Sequence, residues 1–328
     1  MSEMVKNERG LIHAYLLDGA GGGRRLEMAD IESWTPEEGV LWTHFDYTNE
    51  DAQQWLRDSA GLEELVADAL LTEETRPRAT AIGNGVLVAL RGINMNPGAE
   101  RDDMVAIRLW VDDKRIVSTR ERVLFSVSDI AELLDAGKGP VDTADFLVVL
   151  ADRIVWRMSD TVDQCEDLVA DLEDQVLDAS SSSLRFDLAT LRRQTITLRR
   201  YLAPQRDAFA KLVTEKIAWL DDDDRLRLRE VSDRLIRNIE DLDAVRERAA
   251  VTQEELLSRL SDQMNTRMYV LSVVAAIFLP LGFLTGLLGI NVGGIPGTEN
   301  PWAFLIFLLF ILVIFVGQML WFRSKKWF

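Results

Sequence analysis

Hydrophobic and polar positions divide this chain into three successive patterns. Up to about residue 145, short apolar runs rich in β-branched residues alternate with Gly, Asn and Asp breaks. Leu11–Leu17 and residues 40–45, 85–91, 104–111 and 115–118 read as strands. Thr48 and Asn49 open a helix through Ala52 and Leu56, and residues 58–71 read as a second helix. Asn94-Met-Asn-Pro-Gly98 is a loop between two strands. The turn Asp18-Gly-Ala-Gly-Gly-Gly23 lacks the lysine and spacing of a phosphate-binding loop, so it reads as a flexible connection. Such a segment predicts an α/β sandwich and leaves its strand order open.

From about Thr143 the period becomes helical. Residues 142–178 form one amphipathic run, broken at Ala179-Ser-Ser-Ser-Ser183. Residues 184–219 form the next, with Pro204 as an irregularity. Asp221 to Asp224 then cap a third helix, because acidic side chains favour a helix N-terminus. That helix meets no Gly or Pro before Pro280, and Leu228, Val231, Leu235, Ile239, Leu242, Val245, Ala249, Thr252 and Leu256 recur every three or four residues as a packing seam. Continued into the apolar region beyond, it would run roughly 100 Å at about 1.5 Å per residue. The first helical run carries Asp163, Glu166, Asp167, Asp171, Glu173, Asp174 and Asp178. Asp163, Asp167, Asp171 and Asp174 stack on one face, where like charges destabilise unless a cation is near. A divalent-cation site, a solvated face, and pairing with Lys or Arg of a neighbouring helix all account for this.

The third pattern is apolar. Residues 269–290 (YVLSVVAAIFLPLGFLTGLLGI) and 302–321 (WAFLIFLLFILVIFVGQMLW) contain no charged side chain. Each is roughly as long as a helix needs to be to cross a bilayer. They predict a transmembrane hairpin. Arg267 precedes it and Arg323, Lys325 and Lys326 follow it, while the connecting loop carries only Glu299. The positive-inside rule puts both flanks in the cytoplasm and the loop outside, and Trp302, Trp321, Phe322 and Trp327 suit the membrane interfaces. A plain anchor and a pore both fit a hairpin. Pro280, Gly282, Gly286 and Gly289 permit close helix contact and favour the pore, which two helices enclose only as an oligomer. Gly289-Ile290-Asn291 sets a carboxamide and bare carbonyls at the negative end of a helix, where a hydrated cation is favoured. Met268, Leu271, Ala275, Leu279, Gly282 and Gly286 fall on one stripe of the first span. Facing an axis, the larger of these would gate by dewetting; ordinary helix packing gives the same periodicity.

Composition narrows the chemistry. The 328 residues carry a net charge of -17, which argues against nucleic acid and suits cation attraction or plain solubility. The N-terminus MSEMVKNERG has no apolar core, so no signal peptide is expected. His13, His44 and Cys165 are the imidazole and thiol groups, scattered without metal-ligand spacing. His44, in a predicted strand, reads as a hydrogen-bonded core residue, and a lone Cys165 as inert. The spans hold no Asp, Glu, His, Lys or Arg, so an intramembrane carrier site or proton relay is not expected. No hydrolytic triad, nucleotide loop or paired catalytic carboxylates occurs, and no enzyme is expected.

On these residues the chain resembles the CorA superfamily of divalent-cation transporters, and within it the zinc-transporting ZntB branch. The likeness rests on Gly289-Ile290-Asn291, which matches the family's Gly-Met-Asn or Gly-x-Asn signature, with Phe278-Leu-Pro280, Phe283-Leu-Thr-Gly286 and Lys325-Lys-Trp327. It continues through Leu41-Trp-Thr-His44-Phe-Asp46, Thr75-Arg-Pro77-Arg, Leu90-Arg91-Gly-Ile-Asn94, Asp103-Met104 and Arg108-Leu-Trp110, and so covers most of the chain. Ile290 in place of Met, and Gly293, Gly294 and Gly297 where magnesium-type members are acidic, point to the zinc branch. The resemblance implies an α+β membrane protein built as a homopentameric funnel in the bacterial inner membrane. Its expected parts are a cytoplasmic α/β domain (1–145), an acidic helical hairpin (146–220), a stalk helix (221–267), a pore-lining transmembrane helix (268–290), an external loop (291–301), a second transmembrane helix (302–322) and a basic tail (323–328). It also implies a selectivity ring at Gly289, Ile290 and Asn291, a pore lined by the stripe above, and a basic collar at Lys325 and Lys326. The implied cargo is a divalent cation, Zn2+ before Mg2+ or Co2+, with no cofactor and no partner beyond further copies of the chain and lipid. Proton coupling in the zinc branch would make Glu299 the nearest titratable group. A membrane-anchored acidic sensor or scaffold is the reading from a different class.

Overall fold

The computed structural model describes residues 8–73, 76–100, 102–178, 182–289, 297 and 299–325. It divides into two compact units, Met1–Gln253 and Glu254–Phe328.

The first unit is built on a seven-stranded sheet. Its strands are β1 (Leu11–Leu17), β2 (Gly23–Arg25), β3 (Val40–Asp46), β4 (Arg78–Ile82), β5 (Gly85–Ile93), β6 (Met104–Val111) and β7 (Arg115–Arg120), in the order β2-β1-β3-β7-β6-β5-β4. Only β3 and β7 pair in parallel; the other neighbours are antiparallel. Three helices, α1 (Met28–Ser33), α2 (Glu50–Asp58) and α3 (Glu64–Leu71), close one face. There Ile31, Leu56, Val66 and Leu70 join Leu41, Phe45, Leu87, Trp110 and Val117 of the sheet in one core. On the opposite face Trp42 packs on Phe146 with ring centroids 4.9 Å apart. Being covered on both faces explains why the interior strands read as nearly continuous apolar runs.

The sequence reading needs correction at residues 58–71. One helix ends at Asp58 and another begins at Glu64. Between them Gly61 adopts φ 61°, a left-handed turn that glycine takes without steric cost and a helix cannot contain. Strands β2 and β4 and helices α1 and α4 (Phe125–Asp135) went unread because each is short, and the two strands are largely exposed.

Three long helices follow: α5 (Thr143–Asp178), α6 (Ser182–Thr214) and α7 (Asp222–Leu288). Asp142 accepts the Asp145 backbone N–H at 2.8 Å while the Asp145 carboxylate accepts that of Val141 at 3.0 Å, reciprocally satisfying N–H groups at the start of α5. Asp221 accepts from the Asp224 N–H at 2.9 Å and caps α7 in the same way. Arg225 donates to the carbonyls of Val213, Glu215 and Ile217 at 3.0, 2.6 and 3.1 Å, capping the end of α6 at the turn into α7. Pro204 lies inside α6, which continues through it. Every residue of the predicted α7 seam, from Leu228 to Leu256, is buried. Arg234–Asp152 (2.7 Å), Arg248–Glu173 (2.6 Å) and Arg199–Asp243 (2.7 Å) flank this packing.

The second unit holds the end of α7 and helix α8 (Ala303–Ser324). Both are long and apolar enough to cross a membrane, and their apolar stretches are almost entirely unburied within the chain.

Candidate functional site

The site expected from sequence lies at the end of α7. Its helix persists through Pro280 to Leu288, and the Gly289 N–H closes the last turn on the Thr285 carbonyl at 2.9 Å. Ile290 and Asn291, the remainder of the proposed ring, lie outside the described residues, as does Lys326 of the collar. Lys325 is described, exposed, and bonds its N–H to the Trp321 carbonyl at 3.1 Å. Glu299 is exposed in a turn before α8.

Helix α7 has two unlike faces in this unit. Val273 and Ile277, one turn apart, bury themselves against Phe322 of α8, with Ala276 and Leu281 packed alongside. Met268, Leu271, Ala275, Leu279, Gly282 and Gly286 are all exposed; Met268, Leu271 and Leu279 remain 64%, 68% and 72% accessible. Among the described residues nothing outside their own helix backbone lies within 4 Å of where a Cβ would stand at Gly282 or Gly286, so this surface has room for close approach by another helix or for a channel.

Polar groups inside the spans are mostly self-satisfied. Ser272 donates to the Met268 carbonyl at 2.8 Å, and the Thr285 hydroxyl to Leu281 at 3.0 Å, each one turn back. Gln318 of α8 is different: its Oε1 is buried without a hydrogen-bond donor among the described residues. Sequence reading passed over it because a neutral amide interrupts a 22-residue apolar helix without breaking its pattern. Buried carboxamides of this kind seek a partner on a neighbouring helix.

The remaining candidates lie elsewhere. Asp163, Asp167, Asp171 and Asp174 are exposed on α5, and among the described residues no three His, Cys, Asp or Glu side chains gather to hold a metal ion. Glu173, on a different face of α5, is paired: Arg248 forks onto it at 3.0 and 2.6 Å and holds its carboxyl below the usual range. Half-buried Glu166 is pushed up, first by burial and then by Asp241 and Asp163. Cys165 is buried, so its thiol is inward of the exposed aspartates.

The histidines, distant in sequence, meet across the sheet. The β1–β3 register sets His13 opposite His44, with rings stacked 6.0 Å apart. Ser118 donates its hydroxyl to the Thr43 carbonyl at 3.0 Å and lies 3.0 Å from Trp42 Nε1 and 2.8 Å from His44 Nδ1. With its hydrogen so committed, Ser118 accepts from both rings, which makes Nδ1–H the His44 tautomer. Burial holds the His44 imidazole well below its ordinary pKa, with Arg120 and His13 adding repulsion. His44 is thus the core histidine the sequence suggested.

Comparison with known proteins bears on the whole chain. The family model described as "CorA-like Mg2+ transporter protein" matches residues 37–326. The divalent cation transporter CmaX of Pseudomonas aeruginosa is 44% identical over 328 residues, covering 98% of each chain. The zinc transport protein ZntB of Yersinia enterocolitica is 40% identical over 316 residues, covering 96% of this chain and 95% of the relative. Among solved structures, full-length CmaX aligns with a TM-score of 0.86 at 43% identity over 97% of this chain and 98% of that one. The magnesium transporter CorA of Methanocaldococcus jannaschii has the same fold, with a TM-score of 0.81 at 18% identity over 96% of this chain and 98% of that one. Matched from its third strand to its last helix, through the α/β unit, the long helix and both candidate spans, this chain belongs to the CorA-like Mg2+ transporter protein family.

Proposed function

We propose that this chain transports divalent cations across the bacterial inner membrane, with Zn2+ as its preferred cargo, and that it works as a homopentamer with both termini in the cytoplasm. One observation carries the reading: two unburied spans close a chain that is 44% and 40% identical, over nearly its full length, to a divalent-cation and a zinc transporter.

In the proposed mechanism five copies of α7 surround an axis. The Asn291 carboxamides and the carbonyls around Gly289 replace part of the ion's water shell at the outer mouth. Met268, Leu271 and Leu279 narrow the path below them, and their apolar side chains close it by excluding water. Gly282 and Gly286 leave room for a hydrated ion between Leu279 and the outer mouth. No charged side chain lies along either span, so the ion is held through water and neutral oxygens. Glu299 draws cations toward the outer mouth and is the candidate group for proton coupling. Lys325 and Lys326 form the basic collar at the inner membrane face, where they favour anionic lipid. The chain performs no covalent chemistry in this reading and needs no cofactor.

Uptake into proteoliposomes, Zn2+ beside Mg2+ and wild type beside Asn291→Ala, tests it. Zn2+ flux that falls by about tenfold or more on substitution, with the oligomer intact, is the expected outcome, since tenfold corresponds to about 1.4 kcal/mol of lost stabilisation. Flux of Mg2+ alone would move the cargo to magnesium, the ion in the family's own description. No flux of either ion from a well-formed oligomer would leave an anchored sensor or scaffold.

A further inference from the structure

The sequence motif around Arg91, Asn94, Asp103 and Arg108 plays no part in the ion pathway, yet it builds a pocket of about 280 Å³ in the α/β unit. The β5–β6 register places Arg91 opposite Ala106 and Arg108 opposite Ala89. The two arginines therefore lie diagonally on one face of the sheet, and the small alanines leave space beside them. Arg91 stacks on the Tyr201 ring at 4.4 Å and donates to the Met104 carbonyl at 3.1 Å. Arg122 forks onto Asp103 at 2.6 and 3.3 Å, and Asn94 fixes that carboxylate from the other side at 2.8 Å. These contacts make a rigid wall.

Arg108 is the anomaly. It is only 1% exposed, yet no described carboxylate is within ion-pair distance of it. Its Nη2 donates to the Glu73 carbonyl at 2.6 Å, and its guanidinium lies 4.7 Å from the centre of the Tyr47 ring. Among the described residues, its Nε and Nη1 are buried without any acceptor. A guanidinium offers five donors and cannot shed its charge, so burying it with two nitrogens unmet is costly unless an anion completes them. The acidic groups on the pocket are Asp103, already engaged by Arg122 and Asn94, and the exposed Glu73 and Glu121, the latter 3.4 Å from the Tyr47 hydroxyl.

We propose that this pocket binds a phosphate-sized oxyanion between Arg91 and Arg108, with Tyr47 and Tyr201 as its aromatic sides. The volume lies just below the roughly 300–1,000 Å³ range of ordinary small-molecule sites, which favours inorganic phosphate or a small phosphate monoester over a nucleotide. Planar guanidinium groups suit such tetrahedral oxyanions through paired N–H bonds. The occupant is distinct from the transported cation in both charge and place.

Calorimetric titration of the full-length protein in detergent with inorganic phosphate, at constant ionic strength, tests the site. Saturable binding of one phosphate per chain is expected. Arg108→Gln and Arg91→Gln should each weaken it about tenfold, the scale of one charge-assisted bond, whereas Glu121→Gln should strengthen it by removing a repelling charge. The opposite sign at Glu121 separates binding from general damage to the fold. Should Arg108→Gln fail to fold, Arg91→Gln and Glu121→Gln decide between them. No saturable binding to wild type, indifference to the folded arginine variants, or chloride and acetate binding as tightly as phosphate would each overturn the proposal.

Discussion

His44 is a single residue with a global consequence. Its Nδ1–H is committed to Ser118 and its ring is fully buried, so the folded protein keeps it neutral. An unfolded chain protonates the same imidazole below about pH 6.5, its ordinary value. The unfolded state therefore binds the extra proton, and stability falls as pH drops through that value. The slope from this group is at most about 1.4 kcal/mol per pH unit. His44→Asn, which retains a donor near Ser118 and cannot titrate, should flatten the fall in unfolding midpoint between pH 7.5 and pH 5.5. A variant that tracked the wild-type slope would show that His44 does not carry it. The sequence suggested a core histidine from its place in a strand, but the partner could not be read. Ser118 is 74 positions away and becomes a neighbour only through the parallel β3–β7 pair.

At the scale of the element, α7 is the clearest case of pattern becoming structure. A three- and four-residue apolar repeat holds from Leu228 to Leu256, and every position in it is buried. Leu235 is fully buried within the seam, whereas Leu226, nine residues earlier, is 53% exposed. Leu235→Ala should cost roughly 2–5 kcal/mol, the usual sum of lost transfer energy and a residual cavity. Leu226→Ala should stay within about 0.5 kcal/mol. Thermal or urea unfolding of the two variants side by side measures the contrast, and equal losses would mean the seam is not the packed face. The N-terminus of the same helix carries a local conflict. Asp224 is pushed up to about 6 by burial and by nearby Asp221 and Asp142, so its charge at neutral pH is a strain that Arg227 only partly relieves. The capping by Asp221 outweighs it, and the helix forms.

For the whole molecule, one chain leaves an apolar helix surface uncovered. The stripe from Met268 to Gly286 is exposed, while the opposite face of α7 is buried on Phe322. An apolar surface of this kind is at home in lipid or against further copies of itself. Our reading requires five copies, and native mass spectrometry of the detergent-solubilised protein should find a mass five times that of the 37.1 kDa chain. A monomer that still carried Zn2+ would rule out the pore as drawn. Gln318 belongs to this scale too. A buried amide oxygen with no donor among the described residues suits a contact with another copy of the chain in our reading, since membrane helices use such groups to hold their neighbours.

The sequence by itself determined the helical and apolar parts: the two apolar blocks, the acidic cap at Asp221 and the α7 seam are local signals set by helix period, chain length and nearest-neighbour hydrogen bonds. It also marked the two aspects of the candidate pathway, a glycine-asparagine end and an uncharged stripe, because both lie within one continuous segment. What only the tertiary structure decided was everything that depends on strand register. The meeting of His13 with His44, the hold of Ser118 on two rings, and the diagonal of Arg91 and Arg108 across β5 and β6 join residues far apart along the chain. Short strands such as β2 and β4 stayed hidden for the same reason: their stability comes from the neighbour they pair with, and their own residues carry little pattern. The acidic residues of α5 show the limit from the other side, since spacing aligned four aspartates on one face but only the packing of α7 showed that Glu173, on a different face, is answered by Arg248.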